Sequence, residues 1–368
     1  MKKQILTTGF VVFSFMLPLK ATAASFTGIY TFGDSLSDVG NVFNTTFNQI
    51  PPSPYFNGRF SNGPIWVERL ADKLGLNPIP FTTILPGTTP TEGINFAYGG
   101  ATTGTQNTLS LTPGYPPFFP PLPGLEQQIN QFTGSTPQAD ANALYILWAG
   151  ANDYLPTQST FTPFQTPDQT IENLSTAVTS LFNVGARNIM VFNLPDLGNT
   201  PSALSVNQQF PGFSLQLNAL TQAHNQQLTH TLDNLSNSLA GINLIPVDIN
   251  SLFENILQGE FGFTNVTTPC LQTLVCVADP TGDLQNQFLF WDANHPTTAA
   301  HQLIGDLAFQ TLKENHQKSV PESSTVLGVL VLAGLGSWGN WRTVFYSKST
   351  VRCLNCLRNL SPILRVSH

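Results

Sequence analysis

Five residues have the types and surroundings that acyl-transfer chemistry needs: Ser35, Gly100, Asn152, Asp292 and His295. Ser35 follows a run of β-formers, Gly28 to Phe32, that breaks off at Gly33-Asp34. An apolar strand that stops on small polar residues delivers a reactive group to a sheet edge, although turn chemistry alone favours the same residue types. A serine hydroxyl is a weak nucleophile and requires a base within hydrogen-bond reach. His295 can be that base. Asp292 stands three residues earlier in "WDANHP", which reads as one tight turn stiffened by Pro296. That spacing lets the carboxylate meet the imidazole Nδ1–H inside its own loop. It fixes the tautomer and favours the imidazolium formed when Ser35 gives up its proton. The attack makes an oxyanion, which needs donors fixed in advance. Gly100 offers an unobstructed N–H, Asn152 a neutral amide, and Ser35 its own N–H. Ser35, Asp292 and His295 are thus the expected catalytic residues. Ser35, Gly100 and Asn152 are the expected oxyanion hole.

The elements that must position these residues are legible as apolar runs. Gly28–Phe32, Ile94–Ala97, Ala143–Trp148, Asn188–Asn193 and Ile242–Val247 read as buried parallel strands. Helical patterns lie between and after them, at Pro64–Leu74, Glu126–Phe132, Pro167–Val184, Phe213–Leu239 and Thr297–Glu314, with Thr166 a candidate cap. Strand then helix, repeated, predicts a three-layer α/β domain with a mostly parallel sheet. In such sheets ligands sit beyond the carboxyl ends of the strands. Those ends carry Gly33-Asp34-Ser35, Tyr98-Gly99-Gly100 and Gly150-Ala151-Asn152-Asp153.

Of the 368 residues, 41% are hydrophobic and only 10% charged, so the surface is carried by neutral polar residues. Eight of the 14 bases lie before residue 24 or after residue 340. Leaving Glu322 out with the C-terminal segment, 20 of the 21 acids face the remaining six bases, giving the middle of the chain a net charge near −14. That balance argues against nucleic acid or an anionic membrane as partner. Residues 1–23 read as a secretory signal: Lys2-Lys3, the apolar run Ile5 to Leu19, then Ala21-Thr22-Ala23. An exported chain meets oxidising conditions. A small Cys270–Cys276 disulfide loop then fits as well as two free thiols. Cys353-x-x-Cys356 has no second pair and does not read as a zinc site, and no cofactor is implied.

The chain order Ser, Asp, His is that of α/β-hydrolases, but their Gly-x-Ser-x-Gly elbow is absent. The blocks "FGDSLSDVGN" at Phe32, "NFAYGGA" at Asn95, "GANDY" at Gly150 and "WDANHPT" at Trp291 appear in that order. "NGRFSNGPIWVERLADKLGL" from Asn57 and "NLPDLGNTP" from Asn193 accompany them. Together they resemble the GDSL, or SGNH, family of serine esterases and lipases over roughly residues 26 to 316. The resemblance implies an SGNH-hydrolase, flavodoxin-like α/β/α fold with a five-stranded parallel sheet. It implies the same five site residues, with Gly100 preferred to Gly99, and an ester as substrate. The hydrolase domain is expected over 24–318.

Other residues have plainer readings. Asp34, Asp38 and Asn41 are expected to organise the Ser35 loop, and Asp153 that of Asn152. His301 reads as a surface or core histidine, and His224 and His230 show no metal spacing. Arg59 suits a structural ion pair or a substrate contact. The loop Leu111 to Leu125, rich in proline and aromatics, reads either as an acyl-chain wall or as a stiff packed loop. Val320-Pro321-Glu322-Ser323, the apolar run Thr325 to Trp341 and Arg342 resemble a PEP-CTERM sorting signal. A sorting segment is therefore expected over 319–342, tethering the chain to a membrane or cell surface, with a tail of unassigned role at 343–368. Ser323 replaces the second proline of that pattern, and the tail is longer than the pattern allows. The expected activity is carboxylic ester hydrolysis by an exported protein. Carbohydrate O-deacetylation, acyl transfer, and a non-enzymatic surface or matrix role are the alternatives.

Overall fold

The computed structural model describes residues 26–136, 138–279 and 281–319. The leader expected over 1–23 lies outside them, as do the tail and all but the first residue of the sorting segment. The chain divides into units Met1–Ser319 and Val320–His368, and the described residues belong to the first.

Six parallel strands form one sheet: β1 (Ile29–Gly33), β2 (Ile79–Pro80), β3 (Gly93–Asn95), β4 (Leu144–Trp148), β5 (Asn188–Phe192) and β6 (Asn243–Val247). Their order is β2-β3-β1-β4-β5-β6. The five expected runs are all strands, and the expected five-stranded sheet gains β2. This strand is two residues long at the sheet edge and leaves no period in the sequence. Its Pro80 has no N–H to donate and is tolerated there because the outer side is unpaired. Ten α-helices occupy the described residues: α1 (Asn41–Thr45), α2 (Trp66–Leu74), α3 (Leu125–Ser135), α4 (Ala151–Tyr154), α5 (Asp168–Asn183), α6 (Pro201–Gln209), α7 (Phe213–Ser238), α8 (Ile249–Leu257), α9 (Leu274–Val277) and α10 (Thr298–Ser319).

Alternation along the strands builds the three layers. Leu144, Ile146 and Trp148 of β4 join a core with Leu70 of α2, Ile256 of α8 and Ile304 of α10. Tyr145 and Leu147 point the other way, into a core with Ile129 of α3, Leu174 of α5 and Leu228 of α7. Both faces of the sheet are therefore covered, which is why the strands read as continuous apolar runs.

Helices α6 and α8 carried start signals that the apolar pattern did not expose. The Thr200 hydroxyl accepts from the Ala203 N–H ahead of Pro201, and the Asp248 carboxylate accepts from Ser251. Thr166 does not cap α5; its hydroxyl bonds Asp168, and Pro167 takes the cap position. Cys270 and Cys276 are joined as a disulfide, with Cα atoms 5.4 Å apart. They pack in a small core with Phe288 and Trp291.

Candidate active site

The strand order places β1 between β3 and β4, so the loops leaving these three strands meet at the point where the winding reverses. Ser35, Gly100 and Asn152 follow those strands. Gly33, the last residue of β1, is required by close packing. A Cβ there would lie 2.1 Å from the Trp148 carbonyl oxygen of β4. Gln128 of α3 grips the same residue from the other side: its Oε1 accepts from Gly33 N–H at 2.9 Å and its Nε2 donates to Gly33 C=O at 2.8 Å. The chain then turns, with the Leu36 N–H donating to the Asp34 carboxylate. Burial raises the Asp34 pKa to about 7 against this hydrogen bond.

Ser35 Oγ lies 2.7 Å from His295 Nε2, and His295 Nδ1 lies 2.6 Å from Asp292 Oδ2. The turn that carries the last two is closed by Trp291 N–H donating to the His295 C=O. It is braced from outside by the disulfide loop, whose Cys270 and Leu271 N–H groups donate to Phe290 and Trp291. Burial opposes charge on both partners, yet their mutual attraction wins. Asp292 is held down to about 2, and His295 is raised above the usual imidazole value, with Asp34 adding to the latter.

The donors are fixed with equal economy. Asp38, fully buried, accepts from the N–H groups of Gly40, Asn41, Val42 and Gly99. Gly99 N–H is thereby committed, which leaves Gly100 as the glycine that lines the cavity. Gly100 has φ +78, and a Cβ would sit 2.7 Å from Asn107 Oδ1. Asn152 Nδ2 donates one hydrogen to the Ala101 carbonyl at 3.0 Å, so its second N–H remains for a ligand. Asp153, also buried, accepts from Thr103 N–H, Thr103 Oγ1 and Thr170 Oγ1, tying α4 to the Gly100 loop and to α5.

These groups stand at one end of a cavity of about 210 Å³. Its walls include the buried side chains Trp148, Leu155, Leu194, Leu197, Phe253 and Leu289. Of the loop from Leu111 to Leu125, only Thr112 lines this cavity, and none of its aromatic rings does. Phe119 is buried against Tyr115, Phe118 is 68% exposed, and Thr108 and Leu109 just before the loop reach the cavity. Arg59 pairs with Glu68 at 2.7 Å and is structural. His301 is a core histidine whose Nδ1 receives the Trp66 N–H. His224 is also in the core, against the Tyr154 hydroxyl. Among the described residues no cluster of His, Cys, Asp or Glu could hold a metal ion.

Sequence reasoning missed Tyr55, whose hydroxyl lies 2.5 Å from Asp292 Oδ2, and Phe60, whose ring lies 5.2 Å from that of His295. Tyr55 stands just before the quoted "NGRFSNG" stretch and Phe60 within it, but nothing in their spacing points across more than two hundred residues. Phe253 and Leu257 of α8 were missed because the helix itself was.

A parallel α/β sheet with this serine-bearing turn defines a class, and the class is a known one. The family described as GDSL-like lipase/acylhydrolase matches residues 29–308, and the chain belongs to it. Particular relatives include phosphatidylcholine-sterol acyltransferase of Aeromonas hydrophila, 34% identical over 253 residues, 67% of this chain and 66% of that protein. An uncharacterized protein of Pseudomonas putida is 32% identical over 315 residues, 79% of this chain and 49% of that protein. A GDSL esterase/lipase of Arabidopsis thaliana is 29% identical over 312 residues, 76% of this chain and 81% of that protein. The chain spans less than two thirds of the length of the first two.

Proposed function

We propose that this protein is a serine hydrolase that cleaves carboxylic esters with an apolar acyl chain. Ser35 Oγ attacks the acyl carbonyl while His295 Nε2 takes its proton, and Asp292 holds the imidazole and balances its charge. The N–H groups of Gly100 and Ser35 and the Asn152 amide receive the oxyanion. The alcohol leaves with the proton from His295. Water, deprotonated by the same imidazole, then releases the acyl group. Export to an oxidising compartment belongs to the same reading and rests on the leader segment and the disulfide.

The observation that carries the proposal is the hydrogen-bonded series Ser35, His295, Asp292 at the head of an apolar cavity. The cavity favours a longer acyl group over acetyl, since an acetyl would leave most of its apolar wall unfilled. Each methylene buried there contributes about 0.8 kcal/mol, or roughly fourfold in kcat/KM. The test joins a serine-directed phosphonate with a panel of nitrophenyl esters. Wild type should be labelled and Ser35→Ala should not, and kcat/KM should climb from acetate to at least hexanoate. No labelling of wild type would sink the enzyme reading; a maximum at acetate would favour the O-deacetylase. A second alcohol in place of water is the other reading, favoured by the similarity to a protein named as an acyltransferase. Transfer of the acyl group to added alcohol in preference to water would establish it.

A further inference from the structure

The Asp292 carboxylate is more fully engaged than its pairing with His295 requires. Oδ1 accepts the N–H groups of Asn294 and His295, at 2.8 and 2.7 Å, both from its own turn. Oδ2 accepts His295 Nδ1 and also the Tyr55 hydroxyl, so all four acceptor directions are filled. Tyr55 is the contact that comes from elsewhere, a segment 237 residues earlier in the chain. Burial, and after it the adjacent carboxylate, push the phenol pKa far above its usual value, so Tyr55 is a fixed proton donor throughout the working range. Its ring is oriented by edge contacts with Trp291 and Phe60. The same segment fastens the far side of the turn, where Ser61 Oγ donates to Pro296 C=O and Asn62 Oδ1 accepts from Thr298 N–H.

The geometry points to Tyr55 as a positioning residue that sets the proton affinity of the Asp292–His295 pair. The inference rests on the catalytic roles proposed above for those two residues. Tyr55 does not line the cavity and acts through Asp292. Its bond holds the carboxylate plane toward Nδ1. It also draws negative charge from the one oxygen that faces the imidazole, which limits how strongly Asp292 raises His295. The other ionisable groups coupled to the imidazole are Asp34, which raises it further, and His301 of α10, itself held neutral by burial. Without the phenol, His295 keeps its proton to higher pH and less free base is present near neutrality.

Tyr55→Phe keeps the ring and removes only the donor. We expect kcat to fall about tenfold at pH 7 with KM unchanged, because a charge-assisted bond to the orienting carboxylate is lost. The acid limb of kcat/KM should move up by about half a pH unit. In an Asp292→Asn background the same change should cost less than about twofold, since the two residues act in series. The low-field proton resonance of His295 Nδ1, read without substrate, should titrate at higher pH in Tyr55→Phe. Replacing Tyr55 by the more acidic 3-fluorotyrosine should move the limb the opposite way, and this near-isosteric change keeps the test open should Tyr55→Phe fold poorly. An unmoved limb and resonance, an equal loss in both backgrounds, or a lowered melting temperature with full kcat would each overturn the assignment. If His295→Ala retained full activity, the hydrolase reading of the pair would fail, while the His295 resonance compared between wild type and Tyr55→Phe would still report on the Tyr55–Asp292 bond.

Discussion

The imidazole of His295 sits between two carboxylates, Asp292 at 2.6 Å on Nδ1 and the buried Asp34 beside the serine it faces. Burial alone would depress its proton affinity, and the charge and hydrogen bond of Asp292, with a smaller addition from Asp34, reverse that. On the proposed mechanism the neutral imidazole is the base, so activity is lost as pH falls through the raised value. The expected profile of kcat/KM therefore has an acid limb above 6.5, and Asp292→Asn should lower kcat by about 10⁴ through the wrong tautomer. A limb well below 6.5, or an Asp292→Asn enzyme within tenfold of wild type, would contradict the assignment. Ser35, Asp292 and His295 were legible as candidates because each stands in a short polar block, the last two three residues apart. Tyr55 was not, because a tyrosine directly after a proline-rich turn has the signature of an ordinary loop aromatic.

At the scale of elements, the position of Ser35 depends on how strand β1 ends. Gly33 is held on one side by β4 and on the other by Gln128, whose side chain mimics a neighbouring strand by both donating and accepting. Gln128 is 2% exposed, so a leucine there fits the volume but leaves the Gly33 N–H buried without its partner. Gln128→Leu should cost about 1–3 kcal/mol of stability. It should also lower kcat more than it raises KM, because the mount of Ser35, the proposed nucleophile, loosens while the cavity walls remain. Denaturation midpoints and steady-state kinetics on the same preparation check both, and unchanged kcat would show that β4 alone suffices. The apolar runs announced β1 and β3 to β6. Gln128 escaped notice because its partner is a backbone group that any sequence contains.

Across the whole molecule, two core histidines set a pH dependence separate from catalysis. Burial lowers His224 to about 4 and His301 to about 3, so both are neutral in the folded protein where the unfolded chain would protonate them. The unfolded state binds more protons below 6.5, and stability falls with pH from there toward 4. Asp34 works in the opposite sense: its folded pKa is raised to about 7, so its contribution is present in acid and lost as pH rises through that value. The effect of one histidine is therefore read as a difference. Between pH 6.5 and 4, the stability of His224→Leu relative to wild type should improve by up to about 1.4 kcal/mol per pH unit. A pH-independent difference would mean that His224 is protonated in the native state.

Local chemistry by itself determined the layer architecture, the strand ends and the identities of the candidate nucleophile, base and orienting acid. Those features depend on residue periods and on groups within three or four positions of each other. Only the tertiary structure decided which residues line the cavity, that the proline-rich loop is not its wall, and that Tyr55 reaches Asp292. Each of these is a contact between segments far apart in the chain, made by side chains common enough to carry no mark of the partner that folding assigns them.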